Sequence, residues 1–303
     1  MSELSPPSAR RPLGRSGIEV SALAWGNWRL CGTDVSAAAE LLHAALEAGI
    51  DLVDTADIYG PDNGEAFGAS EALLGRVFAA DRSLRERVVL ATKGGIVIGT
   101  PYNSSARYIG EAIDASLQRL GTDHVELWQI HRPDILTHPA EIAEAVHAAH
   151  KAGKIRAFGV SNFTQGQIAA LAGFLGDLPI VSTQPELSPL RLPAIENGEL
   201  DQALAMDMAV LAWSPLGGGR IANPTSERER AVAAALDAVA HDFGVSRTAA
   251  AYSWIMAHPA RPIPIVGTQR ASRITEAVDA LKVRWTRPRW YDVLVAARGE
   301  RLP

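Results

Sequence analysis

Short runs of consecutive apolar residues recur along the chain, and longer segments with apolar residues three or four positions apart separate them. Each run is nearly continuous over four to six positions. This pattern is typical of strands in a parallel sheet that is covered on both faces. The runs are SALAWG, DLVD, VVLATK, VELWQIH, AFGVSN, PIVSTQ, AVLAWS and IPIVG.

The alanine-rich segments between these runs predict helices. The first, DVSAAAELLHAALEAG, offers Asp34 or Ser36 as an N-cap and ends at Gly49. Strands that alternate with helices through short links predict a parallel sheet with crossover helices. The later helical segments are EAFGASEALLGRVFAA, SARYIGEAIDASLQRLG, PAEIAEAVHAAHKAG, TQGQIAALAGFL and ASRITEAVDAL.

Eight strands fit a (β/α)8 TIM barrel better than an open doubly wound sheet. We expect residues 1–12 to form a flexible arm and residues 13–303 to form a single barrel domain. The segment RPLGRSGIEVSALAWG predicts a short hairpin before the first strand, and RPRWYDVLVAARG predicts a helical tail near the mouth. The longest gap between strand ends runs from Trp213 to Gly267. With its polar loop and two helical segments, it is a candidate lid.

Almost every apolar run ends in a side chain that can ionise or form hydrogen bonds. The carboxyl ends of the strands in such a barrel face one common mouth, where the chemistry of these folds collects. We therefore expect the residues at the strand ends to lie close together. They are Asp54, Lys93, His131, Ser161, Asn162, Gln184, Trp213, Ser214, Gly267 and Thr268.

The ionisable residues at this mouth suggest proton transfer to a carbonyl oxygen. Tyr59 follows the second strand, and its phenol has an ordinary pKa of about 10. The ammonium of Lys93 would favour the phenolate, and Asp54 could hold that ammonium in place. His131 could donate a hydrogen bond to a carbonyl oxygen. Together these groups predict a site that protonates an oxygen while a hydride arrives at carbon.

Composition narrows the possible partners. The 303 residues are 47% hydrophobic and 21% charged, as in an ordinary globular protein. A net charge of −5 argues against nucleic acid as a partner, and no apolar run approaches the ~20 residues of a membrane span. With Cys31 as the single cysteine, no internal disulfide can form, which fits the cytoplasm. We expect a monomer.

Motifs for several other site classes are missing from the sequence. The histidines are scattered and do not form an H-E-x-x-H pattern, so no metal is expected. No G-x-S-x-G elbow supports a serine hydrolase, and the GGG stretch is not followed by the Lys-Ser/Thr of a P-loop. No G-x-G-x-x-G motif follows an early strand, which argues against a Rossmann dinucleotide site.

Taken in order, the motifs at the strand ends are similar to those of the aldo-keto reductase family, from about Leu13 to Leu281. The resemblance implies an NADPH-dependent carbonyl reductase on a (β/α)8 barrel. In its catalytic tetrad, Tyr59 would be the general acid. Lys93, paired with Asp54, would lower the pKa of Tyr59, and His131 would orient the carbonyl. The matching segments are DTADIYGPDNGEAFGASEALLGRVF, ATKGG, QIHRPD, GKIRAFGVSNF, QPELSPL, AWSPLGGG and VGTQRASRITEAV.

The resemblance also implies where the cofactor binds. Trp213 would stack on the nicotinamide, in place of the more usual tyrosine. Three groups of residues share the other contacts of the nicotinamide half. The carboxamide would be held by Ser161, Asn162 and Gln184. Backbone N–H groups along the pyrophosphate would come from Ser214, Leu216 and Gly218. Contacts at the end of the first strand would come from Gly26, Asn27 and Trp28.

The segment GTQRASR would hold the 2′-phosphate of the cofactor. Thr268 and Gln269 would open the last helix at an end that favours anions. Arg270 and Arg273 would share one face of that helix and form a fork for the phosphate. These residues imply a preference for NADPH over NADH. The resemblance further implies that Gly267 replaces a lysine found in many relatives, and that Glu276 reaches the adenine.

Two alternatives to a reductase remain open at this stage. The first is a regulatory subunit that binds NADP(H) with little turnover, since the β-subunits of potassium channels resemble this family. The second is a lyase or isomerase on the same barrel, which would require signs of a metal or a Schiff base. The complete tetrad favours reduction of a small carbonyl compound.

Overall fold

The computed structural model describes residues 3–4, 7–32 and 34–302. Eight parallel strands close into a barrel in the order β10-β3-β4-β5-β6-β7-β8-β9, and β1 and β2 form a separate antiparallel hairpin. The TIM barrel and the hairpin predicted from the sequence are therefore confirmed. The strands are β1 (Arg10–Pro12), β2 (Glu19–Ser21), β3 (Ala24–Gly26), β4 (Leu52–Asp54), β5 (Val89–Gly94), β6 (Val125–Ile130), β7 (Ile155–Ser161), β8 (Ile180–Gln184), β9 (Ala209–Ala212) and β10 (Ile263–Val266).

Helices connect successive barrel strands and cover the outside of the barrel. Asp34, one of the two N-cap candidates, accepts a hydrogen bond from the backbone N–H of Ala37 and caps the first helix. The helices are α1 (Val35–Glu47), α2 (Ala69–Ala80), α3 (Arg82–Glu86), α4 (Ala106–Leu120), α5 (Pro139–Lys151), α6 (Gln165–Leu175), α7 (Pro193–Glu196), α8 (Glu199–Met206), α9 (Glu227–Phe243), α10 (Arg247–Met256), α11 (Ala271–Ala277) and α12 (Arg287–Arg298).

Side chains along each barrel strand alternate between the barrel interior and the surrounding helices. In β6, Leu127 belongs to the interior cluster, whereas Trp128 and Ile130 belong to the cluster under the helices. Gln129 is fully buried, and by the same alternation it faces the interior. The carboxyl ends of the strands then direct Asp54, Lys93 and His131 into one mouth.

The hairpin closes the amino end of the barrel. Leu13 and Val20 are fully buried and pack with the interior residues of the barrel strands. Part of the predicted flexible arm is ordered, because Arg10–Pro12 pairs with β2 as a strand. Leu4 donates a backbone hydrogen bond to Trp285. Residues 1, 2, 5 and 6 of the predicted arm lie outside the described residues.

The helical part of the candidate lid is packed against the barrel. The residues of α10 from Ala249 to Met256 are all buried, and the helix contacts β10. Helix α9 packs on α10 and α12, and it begins within the segment predicted as a polar loop. Because both helices are held by packing, the expectation of a helical lid is wrong. Within the segment from Trp213 to Gly267, only the loop before α9 is still a candidate lid.

The C-terminal helix α12 spans the height of the barrel. Near its start, Trp290 lies beside His258, which precedes β10 at the amino end of the barrel. Near its end, the carbonyl of Ala297 accepts a hydrogen bond from Arg228, which also binds the carbonyl of Leu190 in the loop after β8. Only the end of this tail therefore lies near the mouth. None of the helices that the structure describes is long and apolar enough to cross a membrane.

Candidate active site

A buried ion pair lies at the centre of the barrel mouth. The Nζ atom of Lys93 donates to Oδ2 of Asp54 at 2.7 Å and to the carbonyl oxygen of Thr55 at 2.8 Å. The same Nζ lies 5.0 Å from the centre of the Tyr59 ring. That ring meets His131 edge-on, with 5.8 Å between the ring centroids. The structure therefore brings together the four residues expected to form a catalytic tetrad.

Burial and charge act on Tyr59 in opposite directions. Removal of the phenol from water raises its pKa, whereas the Lys93 ammonium lowers it. Burial is the larger effect, so the pKa of Tyr59 lies above its ordinary value. The expected lowering by Lys93 is present but does not decide the net direction. Burial likewise opposes the charge of Lys93, but Asp54 and Tyr59 outweigh it and raise the pKa of this lysine.

His131 is a neutral imidazole in this setting. Burial lowers the pKa of His131 well below its ordinary value, and the cations Lys93 and Arg132 lower it further. Its Nδ1 atom is buried and has no hydrogen-bond partner among the described residues. A neutral ring has one N–H group, with which it can donate to an oxygen in the mouth.

A layer of polar side chains lies beneath the tetrad inside the barrel. Nε2 of Gln184 donates to Oδ1 of Asp54 at 3.1 Å, so Gln184 binds the carboxylate that also holds Lys93. Gln129 lies next to it, and its Oε1 accepts a hydrogen bond of 3.3 Å from the hydroxyl of Ser182. Sequence reasoning assigned Gln184 to the nicotinamide and missed Gln129. The signal for Gln129 was its position two residues before His131, which places both residues on the same face of a strand.

The other predicted carboxamide contacts form a connected group. The hydroxyl of Ser161 donates to the backbone oxygen of Gln184 at 2.9 Å. Nδ2 of Asn162 donates to that hydroxyl and to the backbone oxygen of His131. Nε1 of Trp213 donates to Oδ1 of Asn162 at 2.9 Å, which fixes the indole beside the amide. The residues expected around a nicotinamide are therefore held by one another.

The turn after β9 partly satisfies its own N–H groups. Ser214 adopts a left-handed backbone conformation with φ of 52°, and its Oγ accepts a hydrogen bond from the N–H of Gly218 at 3.0 Å. This N–H was expected along the pyrophosphate, but here it already has an internal acceptor. Side chains at Gly218 and Gly219 would meet no atom within 4 Å, so the space above the turn is open. Leu216, the third predicted contact, is part of the same turn.

The segment after β10 differs from the expected helix start. Arg270 has an extended backbone and precedes α11, so it does not share a helical face with Arg273. Both side chains are exposed. The carbonyl of Thr268 accepts a hydrogen bond from Nε1 of Trp25, and Nε2 of Gln269 approaches the carbonyl of Gly26 at 3.5 Å. The segment therefore lies against the end of β3.

Glu276 has a partner within the protein. Its Oε1 accepts a hydrogen bond from the hydroxyl of Thr248 in α10 at 3.2 Å. The predicted contact with adenine would have to use the other carboxylate oxygen or displace this bond.

The end of β3 contains one tight and one unsatisfied position. A Cβ on Gly26 would lie 2.5 Å from Ile265, so the absence of a side chain allows β3 and β10 to approach each other. Asn27 is fully buried, and neither polar atom of its side chain has a partner in the described part of the chain. Trp28 is 40% exposed at the rim of the mouth. The three residues predicted to contact the cofactor at the end of β3 therefore lie in three different environments.

A second buried acidic group lies behind the tetrad and was not recognised in the sequence. Glu71 is fully buried and pairs with Arg119, and the hydroxyl of Thr92 donates to it. Asp57, in the loop after β4, is also buried. Burial, followed by the charge of Glu71, raises the pKa of Asp57 well above its ordinary value. No sequence signal marks this group, because its members come from separate elements.

The geometry of the mouth suits a flat ring next to an anionic tail. Trp213 and the amides provide a polar and aromatic wall, the turn after β9 leaves open space, and Arg270 and Arg273 supply positive charge on the side of β10. Buried polar atoms are ordinarily hydrogen-bonded. Oε1 of Gln269 and the side chain of Asn27 are buried without a partner among the described residues, so this edge of the mouth offers free hydrogen-bonding groups to a ligand. In the described part of the chain, no His, Cys, Asp and Glu residues are grouped so that they could hold a metal.

Comparisons with known proteins identify relatives of this chain. The model of the aldo/keto reductase family matches residues 22–291. A 6-dehydroglucose reductase from Novosphingobium aromaticivorans is 61% identical, with 100% of each chain covered. One from Agrobacterium fabrum is 36% identical over 93% of this chain and 96% of that protein. A crystal structure of a thermostable aldo-keto reductase with the inhibitor epalrestat has a TM-score of 0.82 and 24% identity, covering 95% of this chain and 100% of that one.

Proposed function

The chain belongs to the aldo/keto reductase family, and we propose that it is an NAD(P)H-dependent reductase that converts an aldehyde or ketone to an alcohol. The observation that carries this proposal is the buried Lys93, clamped by Asp54 and placed beside Tyr59. A buried ammonium without a partner would be costly, so Asp54 keeps the charge in place next to the phenol.

The pKa directions at the mouth fit reduction at neutral pH. Because the pKa of Tyr59 is raised, its phenol is protonated and can give a proton to the carbonyl oxygen. Lys93 then stabilises the phenolate that forms, since the ammonium favours that charge. The neutral His131 can hold the carbonyl oxygen by its N–H group. When bound, the nicotinamide cofactor supplies the hydride that the carbonyl carbon receives.

We assign the cofactor to the groups that line the mouth. Trp213 would provide the stacking face, and Ser161 and Asn162 would hold the carboxamide from the network that fixes the indole. Gln184 would contribute its Oε1, because its Nε2 is bonded to Asp54. Arg273 would bind the 2′-phosphate of NADPH. An exposed guanidinium suits a phosphate, which supports NADPH as the preferred form.

The substrate we propose is a sugar aldehyde, and 6-dehydroglucose is the first compound to test. The support is the relative named for that substrate, which is 61% identical over its whole length. Glucose oxidised at carbon 6 carries an aldehyde, so its reduction yields a primary alcohol. The assembled tetrad favours this activity over a regulatory subunit with little turnover.

The proposed acid is tested by Tyr59→Phe. We expect kcat for reduction of 6-dehydroglucose to fall by about 10² or more, because the ring remains but the donated proton is lost. NADPH should still bind, which tryptophan fluorescence would measure. Tyr291→Phe is the matched control, since Tyr291 is exposed on α12 and should retain full activity.

The outcomes separate the parts of this proposal. Full activity in Tyr59→Phe would rule out this residue as the acid. If the unaltered protein binds NADPH but reduces none of a panel of aldehydes, ketones and quinones, catalysis itself is refuted. Turnover of other carbonyls but not 6-dehydroglucose would refute only the substrate.

A further inference from the structure

Arg29 occupies the space beside Gly267, where the segment after β10 begins. Nη1 of Arg29 lies 3.7 Å from the point at which a Cβ on Gly267 would stand. Apart from the chain neighbours of Gly267, no other atom of the described residues lies within 4 Å of that point. The missing side chain therefore leaves room that the guanidinium of Arg29 borders.

The side chain of Arg29 rests on a fixed platform. Its guanidinium carbon lies 4.6 Å from the centre of the Trp28 ring. Nε1 of Trp28 donates to Oδ2 of Asp62 at 3.2 Å, and Nδ2 of Asn63 donates to the backbone oxygen of Trp28 at 2.6 Å. Because the first bond holds the ring and the second holds the backbone of Trp28, Arg29 stacks on an anchored residue and loses less conformational freedom when it binds a ligand.

The charge of Arg29 is not neutralised by any carboxylate in the part of the chain that the structure describes. No carboxylate in residues 3–4, 7–32 and 34–302 lies within 4.0 Å of its guanidinium, and Arg270 and Arg273 likewise lack carboxylate partners there. All three side chains are exposed. The contacts of Trp25 with Thr268 and of Gln269 with Gly26 bring this segment to the end of β3, from which Arg29 follows. Positive charge that has no carboxylate partner among the described residues therefore comes from two separate parts of the chain.

We propose that Arg29 binds the 2′-phosphate of NADPH together with Arg273, and so helps to set the preference for NADPH over NADH. The inference rests on the proposed function, because it concerns the same cofactor site. A phosphate monoester carries close to two negative charges and accepts bidentate hydrogen bonds from guanidinium groups. Arg29 supplies one such group from the β3 side, where Gly267 offers no side chain.

The test compares Arg29→Gln with Arg156→Gln, using dissociation constants from tryptophan fluorescence or calorimetry. Arg156 is exposed near the start of β7, at the opposite end of the barrel, so its variant removes the same charge away from the mouth. We expect Arg29→Gln to raise the Kd of NADPH about 10-fold or more and that of NADH less than about 2-fold. Arg156→Gln should change neither. Adenosine 2′,5′-bisphosphate and AMP should give the same contrast without a nicotinamide ring.

A rescue variant tests the position of the charge. Gly267 has no positive φ, and its Cβ would make only an ordinary contact with Arg29, so a lysine fits there. The double variant Arg29→Gln/Gly267→Lys should regain at least part of the NADPH affinity that Arg29→Gln loses. Circular dichroism of every variant confirms that the fold is retained.

Any other result would contradict the assignment of Arg29 to the 2′-phosphate of NADPH. Equal weakening of NADPH and NADH would place Arg29 on a part that both cofactors share. Unchanged NADPH affinity in Arg29→Gln would remove Arg29 from the cofactor site, while the proposed function would stand. If the unaltered protein binds neither cofactor, the proposed function fails and this inference fails with it.

Discussion

Single residues show how burial sets the protonation states of this mouth. The pKa of Tyr59 is raised and that of His131 is lowered, and burial is the first cause of both shifts. At neutral pH the first group can therefore give a proton, and the second can donate a hydrogen bond without carrying a charge. Of these three residues, only Lys93 must carry a charge, and the carboxylate of Asp54 lies 2.7 Å from its ammonium.

Asp57 provides a prediction at the scale of one residue. Its backbone N–H donates to the carbonyl of Lys93 at 2.9 Å, and its buried Oδ1 has no partner among the described residues. Burial and Glu71 raise its pKa in the folded protein above the value of about 3.9 in an unfolded chain. The folded protein then binds more protons, so stability is lost as pH rises from about 4 towards the raised pKa.

Asp57→Asn cannot titrate and should escape this loss. We expect its Tm minus that of the unaltered protein to increase between pH 4 and pH 8. Asp134→Asn is a control of opposite sign. Burial alone would raise the pKa of Asp134, but hydrogen bonds from Thr137, Leu136 and Ser104 outweigh it and lower this pKa. Stability from Asp134 is present above the unfolded pKa and is lost as pH falls. A Tm difference for Asp57→Asn that does not depend on pH would contradict the raised pKa.

At the scale of elements, β7 and β8 approach closely because Gly159 has no side chain. An added Cβ would collide with the hydroxyl of Ser182 and lie 3.3 Å from Cγ of Gln129. These are residues of the polar layer beneath the tetrad. Gly159→Ala should therefore overpack the barrel interior and lower the free energy of unfolding by about 1–3 kcal/mol.

The control for this prediction is Gly110→Ala in α4. A Cβ there meets no atom within 4 Å, so the substitution should stabilise the helix by about 0.5–1 kcal/mol. Urea unfolding of both variants measures the two effects. Equal stability of Gly159→Ala and the unaltered protein would show that the strands can separate without cost.

Sequence patterns predicted elements better than contacts between elements. Strand ends such as Asp54 and Lys93 were visible because a polar side chain ends an apolar run, and the barrel then placed them together. Arg270 was assigned to a helix because the sequence does not show the extended turn before α11. The contact of Arg29 with the space at Gly267 joins distant parts of the chain, so no local pattern could reveal it.

At the scale of the whole molecule, both ends of the chain make contacts near the amino end of the barrel. The hairpin covers the amino end of the barrel, and the tail begins on the same side. Trp285 donates to the hydroxyl of Ser253 in α10, and its backbone oxygen accepts from Leu4. The mouth is therefore left to the loops after the strands, while these contacts of the two chain ends lie at the opposite end.

Trp254 and Trp290 fasten the tail to the barrel and provide the prediction at this scale. Their rings stack at 4.7 Å, and each Nε1 donates to the backbone oxygen of the other residue at 3.0 Å. Trp290→Ala removes one ring and leaves a cavity beside the other. We expect this substitution to lower the free energy of unfolding by about 3–5 kcal/mol in urea titrations.

The tail and the proposed cofactor site should respond separately to this substitution. Trp290 lies beside His258 at the amino end of the barrel, so Trp290→Ala should leave the Kd of NADPH unchanged under conditions in which the variant is folded. Tyr291→Ala is the matched control, because that ring is 43% exposed and its loss should cost much less. If Trp290→Ala weakened NADPH binding while stability stayed constant, the tail would be coupled to the mouth rather than to the stability of the barrel.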